Sequence, residues 1–457
     1  MIDESIFREY DIRGIVPSQI NEHSIKLISH AIAQKCNDEN IDELALGRDG
    51  RLSGEKILNL LSKELQSIGI DVVNIGIVTS PLLYFAAKKL PSKSGIMITG
   101  SHNPKNYNGF KIVINDVPIS GLEILSLLSD KPINEKNIGK EVYKKNLGDE
   151  YIQEVLSQSS ESPKKIKVVL DCGNGSAGEI APKLIRALGY EVIELFCEID
   201  GNFPNHHPDP GKVENLQDLI QAVHENSADV GMAFDGDGDR LGVVTEKGEI
   251  IFPDQLMMIF AKDVLKKFPG KEIVFDVKCT NLLSNIIKES GGIPVMSPTG
   301  HFHIKNTLKQ TNAPLAGEMS GHIFFNDKWH GFDDGHYSAF RLLEIMEGLD
   351  MPLSYMLNEL PKAFSTPELN INVMEEKKFR IVKDFVNNAK FKGGSKVTID
   401  GLRVDFDDGW GLIRASNTTP KLVLRFEAKT PSKLEEIKNM FLNQLKLIDE
   451  SIQIDIS

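Results

Sequence analysis

Short runs of β-branched apolar residues alternate along this chain with longer amphipathic stretches, and the alternation restricts it to folds that lay helices against mostly buried strands. IDELALGRDG, GEKILNLLSKELQSIG and DVVNIGIV read as strand, helix and strand. A second series runs from KIKVVLDCGNGSAG through APKLIRALG and EVIELF to ADVGMAFDGDGDRLGVV. A third runs from KEIVFDVKCT through NLLSNIIKESGG to APLAGEMSGHIFF and the helical YSAFRLLEIMEGL. The tail changes rhythm to helix, strand, strand, loop, strand and helix, which predicts a smaller α+β domain.

With 457 residues the chain exceeds what one hydrophobic core supports, at about 100–200 residues per domain. The pattern predicts three similar mixed-sheet α/β domains, over 1–147, 148–250 and 251–362, and a C-terminal α+β domain over 363–457. Each α/β series carries one loop of small and polar residues between apolar stretches. The economical arrangement is four domains around a central cleft to which these loops are presented.

A formal net charge of −13 disfavours nucleic acid and anionic membrane as partners, because both select basic surfaces. The N-terminus MIDESIFREYDIRG carries charges where a signal peptide needs an apolar core, and no apolar run approaches the ~20 residues that span a bilayer. A cytoplasmic location is expected. The four cysteines, Cys36, Cys172, Cys197 and Cys279, stand far apart without a CxxC pair and read as buried thiols of a reducing compartment.

In GIMITGSHNPKNYNGFK an apolar strand ends at Thr99, and Gly100 is expected to take the sharp turn that lifts Ser101 to the carboxyl edge of the sheet. An isolated Ser-His pair is ordinarily a turn serine bonding its own backbone. Here His102, Asn103, Lys105, Asn108 and Lys111 place donors around one hydroxyl, a setting suited to a dianionic phosphate.

FDGDGDR sets Asp235, Asp237 and Asp239 at alternate positions, so that three hard oxygen donors can face one divalent cation. A solvated acidic turn fits poorly, because apolar strands flank the loop on both sides. A calcium EF-hand would use Glu246 at its twelfth position, but its sixth position is Arg240 instead of glycine and its flanks read as strands. Three oxygen ligands suit Mg²⁺, which leaves coordination sites for phosphate oxygen, with Arg240 beside it.

Two further loops carry weaker signals. GEMSGH places Glu318 and Ser320 between glycines, as suits vicinal sugar hydroxyls, and a plain surface turn is as good a reading. RASNTTPKLVLR offers Arg414, Ser416, Asn417, Thr418 and Thr419 as a forked phosphate clamp followed by a strand. Lys278 and His301 follow apolar runs and could add donors.

FREYDIRG, TGSHNPKNYNGFK, HHPDPGKVENL, FDGDGDR, DVKCT, GEMSGH and RASNTTP, in this order over nearly the whole chain, resemble the α-D-phosphohexomutases of the phosphomannomutase/phosphoglucomutase branch. The resemblance implies a four-domain, heart-shaped fold and interconversion of hexose 1- and 6-phosphates of mannose or glucose. It implies Ser101 as phosphoserine and, through its phosphate, a metal ligand with Asp235, Asp237 and Asp239. Glu318 and Ser320 match contacts to the sugar 3- and 4-hydroxyls. Arg414, Ser416, Asn417 and Thr418 match the loop holding the idle phosphate, with Tyr10 beside it. Arg13, His102, Lys111 and Arg240 match groups around the transferring phosphate. Lys278, His301 and His322 match ligand contacts and proton carriers, with His322 or Lys111 as base.

The same resemblance implies Mg²⁺, a hexose 1,6-bisphosphate activator, hexose phosphates as the small-molecule partners, and a monomer or weak homodimer. One stretch departs from the family pattern: Phe302 and His303 follow Gly300-His301 where a serine and an aliphatic residue are usual. The alternatives are a phosphoglucosamine mutase, a phosphatase with Asp235 as nucleophile, and a sugar-phosphate-binding module.

Overall fold

The structure, a computed structural model, describes residues 2–129, 138–159, 165–349, 351–417, 419–450 and 452. The chain forms two compact units, Met1–Leu256 with Ser320–Leu357, and Met257–Met319 with Asn358–Ser457.

The first unit contains two mixed sheets. In the larger, strands Ile12–Ile15, Tyr107–Ile114, Gly95–Ile98, Glu43–Arg48, Asp71–Ile77 and Glu141–Tyr143 lie side by side in that order, and Val117–Ile119 pairs with Tyr107–Ile114. The central strands Gly95–Ile98, Glu43–Arg48 and Asp71–Ile77 are parallel, so their carboxyl ends share one edge. The helices covering this sheet follow from sequence. Gly54–Ser67 buries Ile57, Leu58, Leu61 and Leu65 at helical spacing. Glu22–Asp38 starts where Asn21 and Ser24 cap each other reciprocally. Their apolar faces close a core with Leu44, Leu46, Ile96, Ile98, Phe110 and Ile112.

The second sheet runs Ile250–Ile251, Leu241–Thr245, Val230–Phe234, Lys167–Asp171 and Glu191–Leu195. Val230–Phe234 is parallel to Lys167–Asp171 and antiparallel to Leu241–Thr245, and FDGDGDR is the turn between those antiparallel neighbours. Strands therefore flank the aspartate loop on both sides. Glu246 turns away from it and accepts from the Ser354 amide at 3.0 Å, so an EF-hand is excluded.

In the second unit Ile293–Ser297, Glu272–Asp276 and Leu315–Gly317 run parallel. A six-stranded antiparallel sheet follows, with Phe364–Ser365 and Leu369–Asn372 on Lys421–Ala428, then Gly409–Ala415, Leu402–Phe406 and Ser395–Val397. Helices Glu375–Asn388 and Pro431–Ile448 cover it through an aromatic cluster of Phe385, Phe391, Phe426 and Phe441. The α+β tail is thus observed. The stretch PKAFSTPELNINV, not assigned to either element type from sequence, adds two of its strands. The chain has the expected fold class, three mixed α/β sheets and a C-terminal α+β domain.

Candidate active site

Ser101 sits where the strand Gly95–Ile98 ends, and the residue in the left-handed region is Ser101 itself, at φ 46°. Gly100 is needed for a different reason than turning: a Cβ there would lie 2.5 Å from the Arg51 guanidinium. A non-glycine residue at positive φ is strained and persists only where its surroundings over-determine it.

Those surroundings are Asp49 and Arg51, just beyond the neighbouring strand Glu43–Arg48. Asp49 Oδ2 accepts from Thr99 Oγ1 at 2.7 Å, the Gly100 amide at 3.2 Å and Arg51 Nε at 3.1 Å. The buried Arg51 donates to the carbonyls of Ser101 at 2.7 Å, Asn103 and Pro104 at 2.6 Å and Tyr107 at 3.0 Å. Arg13 adds bonds to the Gly100 carbonyl at 2.7 Å and Asn103 Oδ1 at 2.5 Å, braced by Asp11 at 2.7 Å. Sequence reading missed Asp49 and Arg51, whose available signal was a charged RDGR directly after a buried strand.

Of the five donors expected around the Ser101 hydroxyl, only His102 touches it, with Nδ1 at 3.1 Å. Asn108 donates to Ser53, Asn103 receives Arg13, and Lys105 is exposed. Burial, then the charges of Arg240 and Arg13, holds the His102 imidazole well below its usual range and hence neutral.

The hydroxyl instead donates to Asp235 Oδ2 at 2.9 Å. Asp235 Oδ1 accepts from the amides of Asp239 at 3.1 Å and Arg240 at 3.2 Å, which the left-handed Gly238, at φ 74°, allows to fold back. Gly236 lets the two loops meet, because a Cβ there would lie 2.5 Å from the Ser101 carbonyl oxygen.

Asp235, Asp237 and Asp239 are fully buried, with one oxygen from each within 4.8 Å of the others. Lys111, expected around the serine, bonds Asp237 Oδ2 at 2.6 Å and Asp239 Oδ2. Ser80 Oγ also donates to Asp237 Oδ2, at 2.6 Å. Burial works against the Lys111 charge, but the two carboxylates outweigh it and hold the ammonium well above its usual range. Asp237 Oδ1 is buried and accepts no hydrogen bond, a costly state for a carboxylate oxygen without a cation. Three converging carboxylates with an orphaned oxygen fit a hard divalent ion.

Two further predicted residues join this cluster. His322 Nε2 lies 3.2 Å from Asp239 Oδ1 and 2.9 Å from Arg240 Nε. Arg240 Nη1 also approaches Asp209 at 3.7 Å, and Asp209 belongs to the HHPDPGK loop. In that loop His207 bonds the His102 carbonyl while His206 pairs with Asp171 at 2.9 Å. Tyr10 is half-buried on the segment that carries Asp11 and Arg13, and Ser320 is half-buried at the start of Ser320–Leu357.

In the second unit Glu318 is buried and accepts from the Gly300 amide at 2.6 Å, next to His301 at the start of the helix His301–Thr311. Lys278 pairs with Glu368 at 2.6 Å and approaches Asp276 at 4.0 Å. Burial opposes the Lys278 charge, and Glu368 and Asp276 more than offset it, raising its pKa. Arg414 Nε donates to Asp400 Oδ2 at 2.8 Å, and the same oxygen accepts from the Thr299 amide at 3.0 Å, linking the predicted phosphate loop to the stretch that carries Gly300 and His301. Ser416 Oγ accepts from the Thr419 amide at 3.1 Å and hydroxyl at 2.8 Å, Asn417 continues that bend, and Thr418 lies outside the described residues. Phe302 and His303 meet edge to face at 5.6 Å in the helix's first turn. Asp276, Glu368 and Asp400 were missed because isolated acids carry no local signal.

The sequence matches the family models described as phosphoglucomutase/phosphomannomutase, with domain I over residues 4–124, domain II over 149–248, domain III over 252–364 and the C-terminal domain over 368–444. The chain belongs to this family, the α-D-phosphohexomutases. A phosphomannomutase/phosphoglucomutase of Pseudomonas putida is 50% identical over 454 residues, 99% of this chain and 98% of the relative. A phosphoglucomutase of Neisseria gonorrhoeae is 48% identical over 96% of each chain. The crystal structure of a phosphoglucomutase/phosphomannomutase family protein from Burkholderia thailandensis superposes with a TM-score of 0.92 at 44% identity, covering 99% of both chains.

Proposed function

We propose that this enzyme interconverts hexose 1-phosphate and hexose 6-phosphate, of mannose, glucose or both, through a phosphorylated Ser101 and a bound hexose 1,6-bisphosphate. The observation that carries the reading is the Ser101 hydroxyl at 2.9 Å from one of three buried, convergent aspartates. A strained, clamped serine with no such neighbour would be a turn residue.

Asp235, Asp237 and Asp239, with the phosphate of Ser101, would hold Mg²⁺, which when bound neutralises charge on the oxygens of the transferring group. The chain's own residues do the rest. As the sugar hydroxyl oxygen bonds to phosphorus, the Ser101 oxygen departs. Arg240, Lys111 and Arg13 offset the charge on the moving group, with His102 as a neutral donor beside it. Lys111 keeps its proton against two carboxylates, so His322 is assigned the hydroxyl's proton.

Glu318 and Ser320 read the sugar's 3- and 4-hydroxyls and must accept both orientations of the bisphosphate, because those hydroxyls exchange places when it turns. Arg414, Ser416, Asn417 and Thr418 grip the phosphate that is not reacting, with Tyr10, Lys278 and His301 as further ligand contacts. Hexose 1,6-bisphosphate primes Ser101. The four-domain division near residues 147, 250 and 362 is supported by the family-model spans.

The net charge of −13 supports a protein that binds neither nucleic acid nor anionic membrane, and the family resemblance supports a cytoplasmic monomer or weak homodimer. Among the described residues no helix is long and apolar enough to cross a membrane. Peptide mapping after incubation with glucose 1,6-bisphosphate and Mg²⁺ tests the reading. Phosphate on Ser101 is expected; phosphate on Asp235 would select a phosphatase, and none at all a binding module. Parallel turnover of mannose, glucose and glucosamine 1-phosphates separates the phosphoglucosamine mutase alternative.

A further inference from the structure

The four cysteines are distant in sequence, yet the fold brings two of them together. Cys172 follows the strand Lys167–Asp171 and Cys197 lies two residues beyond its parallel neighbour Glu191–Leu195, with Asp171 opposite Leu195. The thiol of Cys197 donates to Cys172 Sγ at 3.3 Å. Cys172 is buried and Cys197 half-buried, and both are free thiols. The other two cysteines, Cys36 and Cys279, are buried elsewhere, the second donating to Asp276.

The chain on either side of this pair reaches the two halves of the candidate site. Beyond Cys172, the amide and hydroxyl of Ser176 donate to the Gly236 carbonyl at 3.0 and 3.1 Å, and Gly236 lies between two of the metal-site aspartates. Beyond Cys197, Ile199 packs on Gly50, where a Cβ would come within 2.4 Å of its side chain, and Gly201 lies against the Gly50 carbonyl. Gly50 separates Asp49 from Arg51, the pair that clamps the serine loop. The two segments are tied to each other by Asn174, whose amide donates to the Phe196 carbonyl at 2.8 Å and whose carbonyl accepts from Asp200 at 3.0 Å.

We propose that Cys172 and Cys197 are a site of reversible disulfide formation that slows phosphoryl transfer by shifting the serine loop relative to the aspartate loop. The coupling to turnover rests on the mutase reading above. The oxidant is a low-molecular-weight disulfide such as oxidised glutathione. The half-buried Cys197, as thiolate, attacks one of its sulfurs and releases a glutathione thiolate. The buried Cys172 thiol then attacks Cys197 Sγ in the mixed disulfide, passing its proton to the second glutathione thiolate as that leaves. Two protein thiols lose two electrons in total, the glutathione disulfide gains them, and the two thiol protons end on the two glutathiones.

Closing the bond brings the sulfurs from 3.3 Å to about 2.05 Å. Whatever part of this displacement of about an ångström the side-chain rotations do not absorb falls on the two segments that hold the serine clamp and Gly236. A misplacement of that size at reacting atoms costs up to about 100-fold in rate. Disulfides in reducing compartments are ordinarily of this transient, sensing kind.

The test uses the full-length native protein equilibrated with reduced and oxidised glutathione at graded ratios. Free thiols are then alkylated and peptides mapped, and turnover and Mg²⁺ affinity are measured on the same samples. A Cys172–Cys197 linked peptide is expected to rise together with a loss of about tenfold or more in kcat and a several-fold weaker Mg²⁺ affinity. Dithiothreitol should reverse both. Cys197→Ser should keep full turnover and ignore the oxidant.

Absence of the linked peptide would overturn the proposal. So would a linked protein with the reduced form's rate and Mg²⁺ affinity, or equal oxidant loss in Cys197→Ser. The peptide and the Mg²⁺ affinity are read without turnover. A reduced protein that binds Mg²⁺ but converts no hexose phosphate would therefore fail the mutase reading alone.

Discussion

The hydroxyl of Ser101 donates to Asp235 Oδ2 across 2.9 Å, joining the carboxyl edge of one sheet to the turn between two strands of another. Neither loop makes a phosphoryl-transfer site alone. The serine loop supplies a strained, closely supported hydroxyl, and the aspartate loop supplies buried negative charge that calls for a cation.

Ser101→Ala should remove nearly all mutase turnover and bind Mg²⁺ more weakly than phosphorylated wild type, which has one ligand more, while the fold holds, since the hydroxyl bridges the loops but neither depends on it for backbone bonds. A coupled assay beside calorimetric Mg²⁺ titration checks this. Near-normal turnover in the variant would end the phosphoserine assignment.

Asp235→Asn should lower kcat by several kcal/mol of barrier, on the order of 10³-fold. The amide oxygen can still accept from the backbone of Asp239 and Arg240. Metal-free thermal stability should therefore hold or rise, because one of three mutually repelling buried carboxylates is gone. Melting curves with and without Mg²⁺ separate the two effects, and a metal-free variant that melts well below wild type would contradict the account.

Lys111 stands in for a cation on Asp237 and Asp239. Lys111→Gln should leave those carboxylates uncompensated and cost about 3–5 kcal/mol of metal-free stability. Mg²⁺ should then bind more tightly, and its stabilisation, about 2.7 kcal/mol at 100-fold over Kd, should grow in the variant at a fixed concentration. Equal Mg²⁺ affinity in the two proteins would show that the lysine and the metal do not compete. Turnover should fall all the same.

Arg51→Met removes the clamp on four carbonyls and strands the buried Asp49, so a loss of about 3–5 kcal/mol is expected by urea denaturation. Because Arg51 acts through the serine loop, kcat should fall more than KM changes. Paired loss of substrate affinity with unchanged kcat would place its action elsewhere.

Asp334 is buried, accepts from Tyr151 at 2.8 Å and Trp329 at 3.0 Å, and burial pushes its carboxyl up to about 7 against those bonds. The folded state thus binds this proton more tightly than the unfolded chain does. Its contribution to stability is complete below pH ~3.9 and is lost as pH rises through about 7. Asp334→Asn cannot titrate, so wild type should lose stability relative to the variant between those limits. Urea midpoints at several pH values read the difference, and a pH-independent gap would show that the carboxyl titrates alike in both states.

Much of the candidate site was legible because its parts are local. DxDxD at alternate positions between apolar strands requires no partner to be recognised as a cation loop, and a serine at the end of a buried strand is placed by the strand. The α/β alternation and the α+β tail follow from hydrophobic period in the same way. What failed were the assignments of partners. Lys111 and Asn108 lie within ten residues of Ser101, yet one turns to the aspartates and the other to Ser53. Proximity along a chain does not fix which face of a strand a side chain leaves. Arg51 reaches the serine loop across about 50 residues, and nothing within RDGR announces that.

By itself the sequence determined which elements form and which residue types the loops carry, since period, capping and composition act over a few residues. The tertiary structure alone decided that Arg51 fills the space Gly100 leaves, that Lys111 neutralises two aspartates, and that Cys172 meets Cys197. Each of those is a contact between segments whose approach is set by sheet register and core packing, and a buried charge or thiol takes whatever partner that packing delivers.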